Sequence, residues 1–212
     1  MPQIFSIKPT DDSWLGVWEI TEPLAALTAA VALTEADQSA MTARRTVLKK
    51  QQFVAARVLL SALTGERPVI RYTVEGRPVP AGNSGAVSIS HSGRFVAVAY
   101  SKGESIGVDI ECMPRHALQK KRDFFLNETE LGEFGSAAGL HGLHLAWSAK
   151  EAAYKFAGNP VADFRNEIRV HPFPVKDTGE ITAEITAAGI VRAVGLQYWV
   201  TADFVLVVTK SR

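Results

Sequence analysis

The segment Ile106-Gly107-Val108-Asp109-Ile110-Glu111 decides how this 212-residue chain is read. Its apolar–acidic alternation predicts a strand over 106–111, in which successive side chains take opposite faces. Ile106, Val108 and Ile110 then share one face. Asp109 and Glu111 share the other, and Gly107 leaves the backbone open beside them. Two carboxylates on one face repel each other unless something cationic lies between them. Hard oxygen donors of this kind suit Mg²⁺, which takes few carboxylates and keeps positions for water and substrate phosphate. The plainer alternative is a solvent-exposed edge carrying ordinary surface acids.

Working outward, the next informative stretch is Trp147-Ser148-Ala149-Lys150-Glu151-Ala152-Ala153-Tyr154-Lys155-Phe156. It predicts a helix over Leu143–Ala157, stopped by Gly158-Asn159-Pro160. At about 100° per residue, Ala149, Ala152, Ala153 and Phe156 form one stripe, small enough for close packing. Trp147, Lys150, Glu151, Tyr154 and Lys155 gather on the other side. A routine Glu151–Lys155 helix pair, contributing about 0.2–0.5 kcal/mol, is the plain alternative here. Taken together, the two elements supply three carboxylates for one divalent ion and two lysines for phosphate oxygens. That set suits phosphoryl-type chemistry, where positioning and charge neutralisation carry catalysis.

The remaining pattern predicts strands at 16–20, 69–74, 86–91, 95–101, 168–171, 180–185, 198–202 and 204–209. Helices are expected over 23–33, over 34–63 with Gly65 as its stop, and over roughly 115–138. GRPVPAGNSG, residues 76–85, reads as loop. Each half, 1–104 and 105–212, thus holds helix followed by strands, and the class is α+β. No clear sequence repeat links the halves, so an internal pseudo-repeat is an expectation only.

Composition narrows the function classes. With 23 Lys+Arg against 22 Asp+Glu there is no global field to draw in a nucleic acid. No run of about 18 apolar residues suggests a membrane span. The opening MPQIFSIKPTDDSW has no basic segment followed by an apolar run, so it does not read as a secretory signal. The single cysteine, Cys112, cannot form an internal disulfide. A cytoplasmic protein is expected. No G-x-S-x-G motif occurs, and Ser90 and Ser92 flank His91 on a strand, so their side chains turn away from it.

The ordered set GVDIE (107–111), FLNETE (125–130) and WSAKEAAYK (147–155) resembles the Sfp-type 4′-phosphopantetheinyl transferases. That family pairs a G-[IV]-D-[IVL]-E strand with a W-x-x-K-E-[AS]-x-x-K helix some 40 residues later, and Glu111 and Glu151 are 40 residues apart. Upstream, Ser88-Ile89-Ser90-His91-Ser92 is similar to the family's N-[IVL]-S-H-S stretch with Ser88 for Asn. Gly76-Arg77-Pro78 is similar to its G-K-P turn with Arg for Lys.

The resemblance implies two similar halves in a pseudo-two-fold fold with coenzyme A in a cleft between them. It implies transfer of the 4′-phosphopantetheine arm of coenzyme A to a serine of an apo acyl or peptidyl carrier protein, with release of 3′,5′-ADP. By position, Asp109, Glu111 and Glu151 would hold Mg²⁺, or Mn²⁺ in its place. Glu151 would also deprotonate the serine, directly or through water. Lys155 and Lys150 would face the pyrophosphate, His91 with Ser90 a coenzyme A phosphate, and Arg77 the 3′-phosphate. Arg44 or Arg45, with Arg45 preferred, would join them. Glu130 matches the family's acid between the two main motifs, and a monomer is expected. A non-catalytic binder of coenzyme A and an unrelated Mg²⁺-dependent phosphohydrolase are the competing readings.

Overall fold

The computed structural model describes residues 3–65, 69–74, 76–81, 85–103, 105–114, 116–134, 139–158 and 163–210, which divide into two compact units meeting at residues 104 and 105. In the first, β1 (Gln3–Thr10), β2 (Ser13–Glu19), β5 (Ala86–Ser92) and β6 (Phe95–Ser101) form an antiparallel sheet in the order β1-β2-β6-β5. The helices α1 (Leu24–Ala29), α2 (Glu35–Thr42) and α3 (Val47–Thr64) precede a small hairpin of β3 (Ile70–Tyr72) and β4 (Pro78–Pro80). α3 buries Phe53, Val54, Val58, Leu59 and Leu60 in a core shared with Trp18, Val96 and Val98. It ends at Gly65, whose φ of 71° is the left-handed turn expected of a glycine stop.

Several boundaries differ from the sequence expectation, each for a local reason. The helix expected over 34–63 is two helices. Thr34 and Asp37 form a reciprocal capping box that starts α2, and Thr46 accepts the Lys49 N–H to start α3. No Gly or Pro lies between them, so periodicity alone ran through the break. Pro78–Pro80, read as loop, pairs with β3; residues 82–84 of that stretch lie outside the described residues. β1 went unread, and β2 begins three residues before the expected start.

The second unit starts with β7 (Val108–Cys112). A 3₁₀ turn at His116–Lys121, α4 (Arg122–Phe125) and α5 (Glu128–Phe134) replace the continuous helix expected there; residues 115 and 135–138 lie outside the described residues. Then come α6 (Gly139–Ala157), α7 (Phe164–Glu167), β8 (Ile168–Val170), β9 (Thr178–Ala187), β10 (Ile190–Val200) and β11 (Phe204–Thr209). The strands order β7-β11-β10-β9-β8, all antiparallel. β10 starts well before the expected strand at 198–202 and ends at 200. Among the described residues, no helix is long and apolar enough to cross a membrane.

α6 packs on this sheet through its small-residue stripe: Ala149, Ala152 and Ala153 are fully buried beside Val205 and Val207. Register then decides the fate of the acids. Asp109 pairs with Val207 and Glu111 with Val205, so both carboxylates lie on the face that α6 covers. They are 4 and 7 % exposed, which rules out the solvent-facing alternative.

Gly107 permits that cover. A Cβ built there would lie 1.9 Å from the Ala152 carbonyl oxygen and 2.8 Å from the Phe156 nitrogen, both backbone atoms that cannot rotate away. Gly107 is also tied to β11: its N–H donates to Thr209 Oγ1 at 2.9 Å, and the Thr209 N–H returns to its carbonyl at 2.9 Å. Gly107→Ala is therefore expected to destabilise the protein by about 3 kcal/mol through overpacking, read as a lower urea midpoint.

Candidate active site

Trp147, Glu151 and Lys155 stand four residues apart along α6 and so share one stripe of its surface. That stripe faces β7. The Trp147 indole N–H donates to Glu111 Oε1 at 3.0 Å, and the Lys155 ammonium donates to Asp109 Oδ1 at 2.8 Å and to the Val108 carbonyl at 3.0 Å. Strand and helix are thereby joined at two places one strand pitch apart, with Glu151 between the two helix residues. Phe125 and Phe164 brace the indole at 4.9 and 5.7 Å between ring centroids. The same indole lines an apolar hollow of about 300 Å³ with Leu118, Phe124, Phe125 and Phe164.

Glu151 registers the crowding. Burial first, then the charge of Asp109, push its carboxyl up to about 7; Lys155 pulls the other way and Glu111 adds to the rise. The three carboxylates are thus close enough to feel one another. Among the described residues, however, no three acidic, histidine or cysteine side chains stand at metal-holding spacing. The cationic partner of Asp109 here is the Lys155 ammonium.

Lys150 does not join this group, contrary to the phosphate-facing role expected for it. Its side chain is fully buried, 2.7 Å from Glu130, and it donates to the Arg165 and Ile168 carbonyls at 2.9 and 2.5 Å. A helix turns about 100° between adjacent residues, which sends Lys150 toward β8 while Glu151 faces β7. Burial lowers the Lys150 pKa, and its bond to Glu130 opposes that shift.

The upstream motifs meet in the first unit. A hollow of about 440 Å³ is lined by Arg44, Lys49, Gln52, Phe53, Tyr72, Gly76, Pro78 and His91, among others. The guanidinium carbons of Arg44 and Arg57 lie 3.8 and 3.4 Å from the Phe53 ring centroid. Arg57 is held by Asp37 at 2.7 Å in a buried ion pair. Burial lowers the Arg44 pKa, opposed by Tyr72 and reinforced by Arg57.

Three expectations shift here. Arg44, rather than the exposed Arg45, lines the hollow. Ser90 is 8 % exposed and, as the neighbour of His91 on β5, turns to the opposite face. Arg77 is half-buried between the lining residues Gly76 and Pro78, its N–H donating to Thr73 Oγ1 at 3.3 Å. Tyr72 and Gln52 were missed because an aromatic on a three-residue strand and an amide inside a helix carry no motif.

Residues 105–208 match the family model of the 4′-phosphopantetheinyl transferase superfamily. No curated protein matches the sequence. The transferase match takes in β7, α5 and α6, and with them Asp109, Glu111, Glu130, Trp147, Lys150, Glu151 and Lys155. The hollow lined by Arg44 and His91 lies outside the matched span.

The raised Glu151 carboxyl has a consequence for the metal-free protein. Between about pH 4.5 and 7 the folded chain keeps a proton there that the unfolded chain has released, so stability falls as pH rises through that window. Glu151→Gln is expected to remove this fall. Urea unfolding with a chelator at pH 5 and pH 8 should show the variant gaining on the wild type at the higher pH.

Proposed function

We propose that this protein transfers the 4′-phosphopantetheine arm of coenzyme A to a serine hydroxyl of an apo carrier protein, releasing 3′,5′-ADP. The observation that carries the proposal is the half-buried stripe of Trp147, Glu151 and Lys155 set against the buried Asp109 and Glu111, inside the span that matches the superfamily. In the reaction the serine oxygen bonds to the β-phosphorus of coenzyme A. The bond from that phosphorus to the bridging oxygen breaks, and the electron pair leaves with 3′,5′-ADP. Glu151 takes the serine proton, directly or through water.

Lys155 is the cation for the phosphates. Among the described residues it uses two of its three ammonium protons on Asp109 and Val108, which leaves one to give. Its side chain is 26 % exposed, against none for Lys150. Asp109, Glu111 and Glu151 are the oxygen donors that would hold Mg²⁺ or Mn²⁺: Glu151 feels the charge of the other two, which a cation would relieve, although the three do not stand at metal-holding spacing in this structure. Such an ion, when bound, would neutralise charge on the pyrophosphate oxygens. The Arg44–Lys49–His91 hollow offers cations and the Tyr72 ring to the nucleotide end of coenzyme A, with Arg77 at its rim. A pseudo-two-fold relation between the halves and a cytoplasmic monomer belong to the same reading.

Mass spectrometry of a panel of apo carrier proteins incubated with coenzyme A and Mg²⁺ tests the proposal. Asp109→Ala and Glu151→Ala are each expected to lower the rate about 100-fold or more, since roughly 1.4 kcal/mol of lost stabilisation is tenfold. Near-normal modification by either variant would sink the assignment, as would breakdown of coenzyme A with no acceptor present. Separately, Mg²⁺ is expected to raise the Tm of the wild type and to do so less for Asp109→Ala.

A further inference from the structure

Glu130 and Lys150 lie inside the second unit with no exposed side-chain surface. Every proton of the Lys150 ammonium is committed: one to Glu130 Oε2 at 2.7 Å, one to the Arg165 carbonyl, one to the Ile168 carbonyl. Glu130 is as fully engaged. Its Oε2 also accepts the Asn127 N–H at 2.9 Å, its Oε1 accepts the Val170 N–H at 2.7 Å, and its own N–H donates to Asn127 Oδ1 at 3.0 Å. The pair therefore binds the start of α5, the middle of α6, the short α7 and β8 at one buried point. A lysine with no proton left and no exposed surface cannot also hold a phosphate.

Lys150 immediately precedes Glu151 and follows Trp147 by three residues, so whatever fixes Lys150 fixes the rotation of α6 about its axis. A change of rotation would carry Trp147 away from Glu111 and Lys155 away from Asp109. We propose that Glu130 and Lys150 are positioning residues, which hold α6 at the rotation that presents Trp147, Glu151 and Lys155 to β7 and touch no substrate. The kinetic part of this inference rests on the transferase reading; the geometric part does not.

The test uses folded Glu130→Gln, Lys150→Met and the double variant, compared with the full wild-type chain. In the single variants one partner is left buried without its counter-charge, which is the costly case; the double variant leaves no charge uncompensated. The geometric readout is the NMR resonance of the Trp147 indole N–H, assigned with Trp147→Phe, because that proton reports the bond to Glu111 whether or not the protein turns over. Each single variant is expected to move or broaden the resonance, and the double variant to bring it back toward the wild-type position. In kinetics the singles should lose about tenfold or more in kcat, with KM for coenzyme A within about twofold, and the double should recover part of kcat.

An unmoved Trp147 resonance in folded variants of lowered Tm overturns the proposal, as that would be a stability role alone. A KM for coenzyme A raised tenfold in Lys150→Met overturns it too, as that would be ligand contact. If a single variant does not fold, the double variant decides: failure to restore the resonance counts against the proposal. If the wild type modifies no carrier, the transferase reading fails while the resonance arm still gives its answer.

Discussion

The approach of the β7 backbone to α6 at Gly107 is the constraint on which the second unit depends. The Ala152 carbonyl lies where any larger residue would put its Cβ, and the helix can come that close only because Ala149, Ala152 and Ala153 keep its own surface low. Hydrophobic burial supplies the drive, since those alanines cover Val205 and Val207. The same contact forces Asp109 and Glu111, which share that face of the sheet, out of water. Carboxylates so buried need donors, and α6 supplies an indole and an ammonium at the right heights.

Two buried lysine–carboxylate pairs result, and their difference separates structure from chemistry. At Glu130–Lys150 every proton and most lone pairs are committed, nothing is exposed, and four segments of chain are tied together. At Asp109–Lys155 the ammonium is partly exposed and incompletely used, and a third carboxyl, Glu151, stands nearby with its proton held to about pH 7. A saturated pair has little to offer a ligand. An unsaturated one beside a mutually repelling acid cluster gains from anything that adds positive charge or takes up the spare donor. In the first unit the buried Asp37–Arg57 pair ties α2 to α3, and Arg57 joins Arg44, Lys49 and His91 at the lining of the hollow.

Much of this was legible in residue order, and the failures have physical causes. The GVDIE strand, the helix through WSAKEAAYK, its alanine packing stripe and the Gly65 stop all follow from periodicity and from glycine's freedom, which are local properties. The break between α2 and α3 was not legible, because it rests on side-chain caps at Thr34 and Thr46 rather than on Gly or Pro. Lys150 was misread because helical spacing groups it with Glu151 and Tyr154 on a wheel, whereas the neighbouring α5, α7 and β8 decide which part of that arc is wet. Arg45 was preferred to Arg44 for lack of any local signal; a single step along the chain at the end of α2 turns one side chain over Phe53 and the other into solvent.

Sequence by itself determined the chemistry available: three acids and two lysines at spacings that put Asp109 with Glu111 on one strand face and Trp147, Glu151 and Lys155 on one helix stripe. It also determined where close packing was allowed, through Gly107 and the alanines. Only the tertiary structure decided which sheet face the helix would cover, that one lysine would be consumed by Glu130 while the other kept a proton to give, and how far Glu151 would rise above an ordinary carboxyl. Those outcomes depend on burial and on charges brought together from residues 20 to 46 positions apart, which no local pattern encodes.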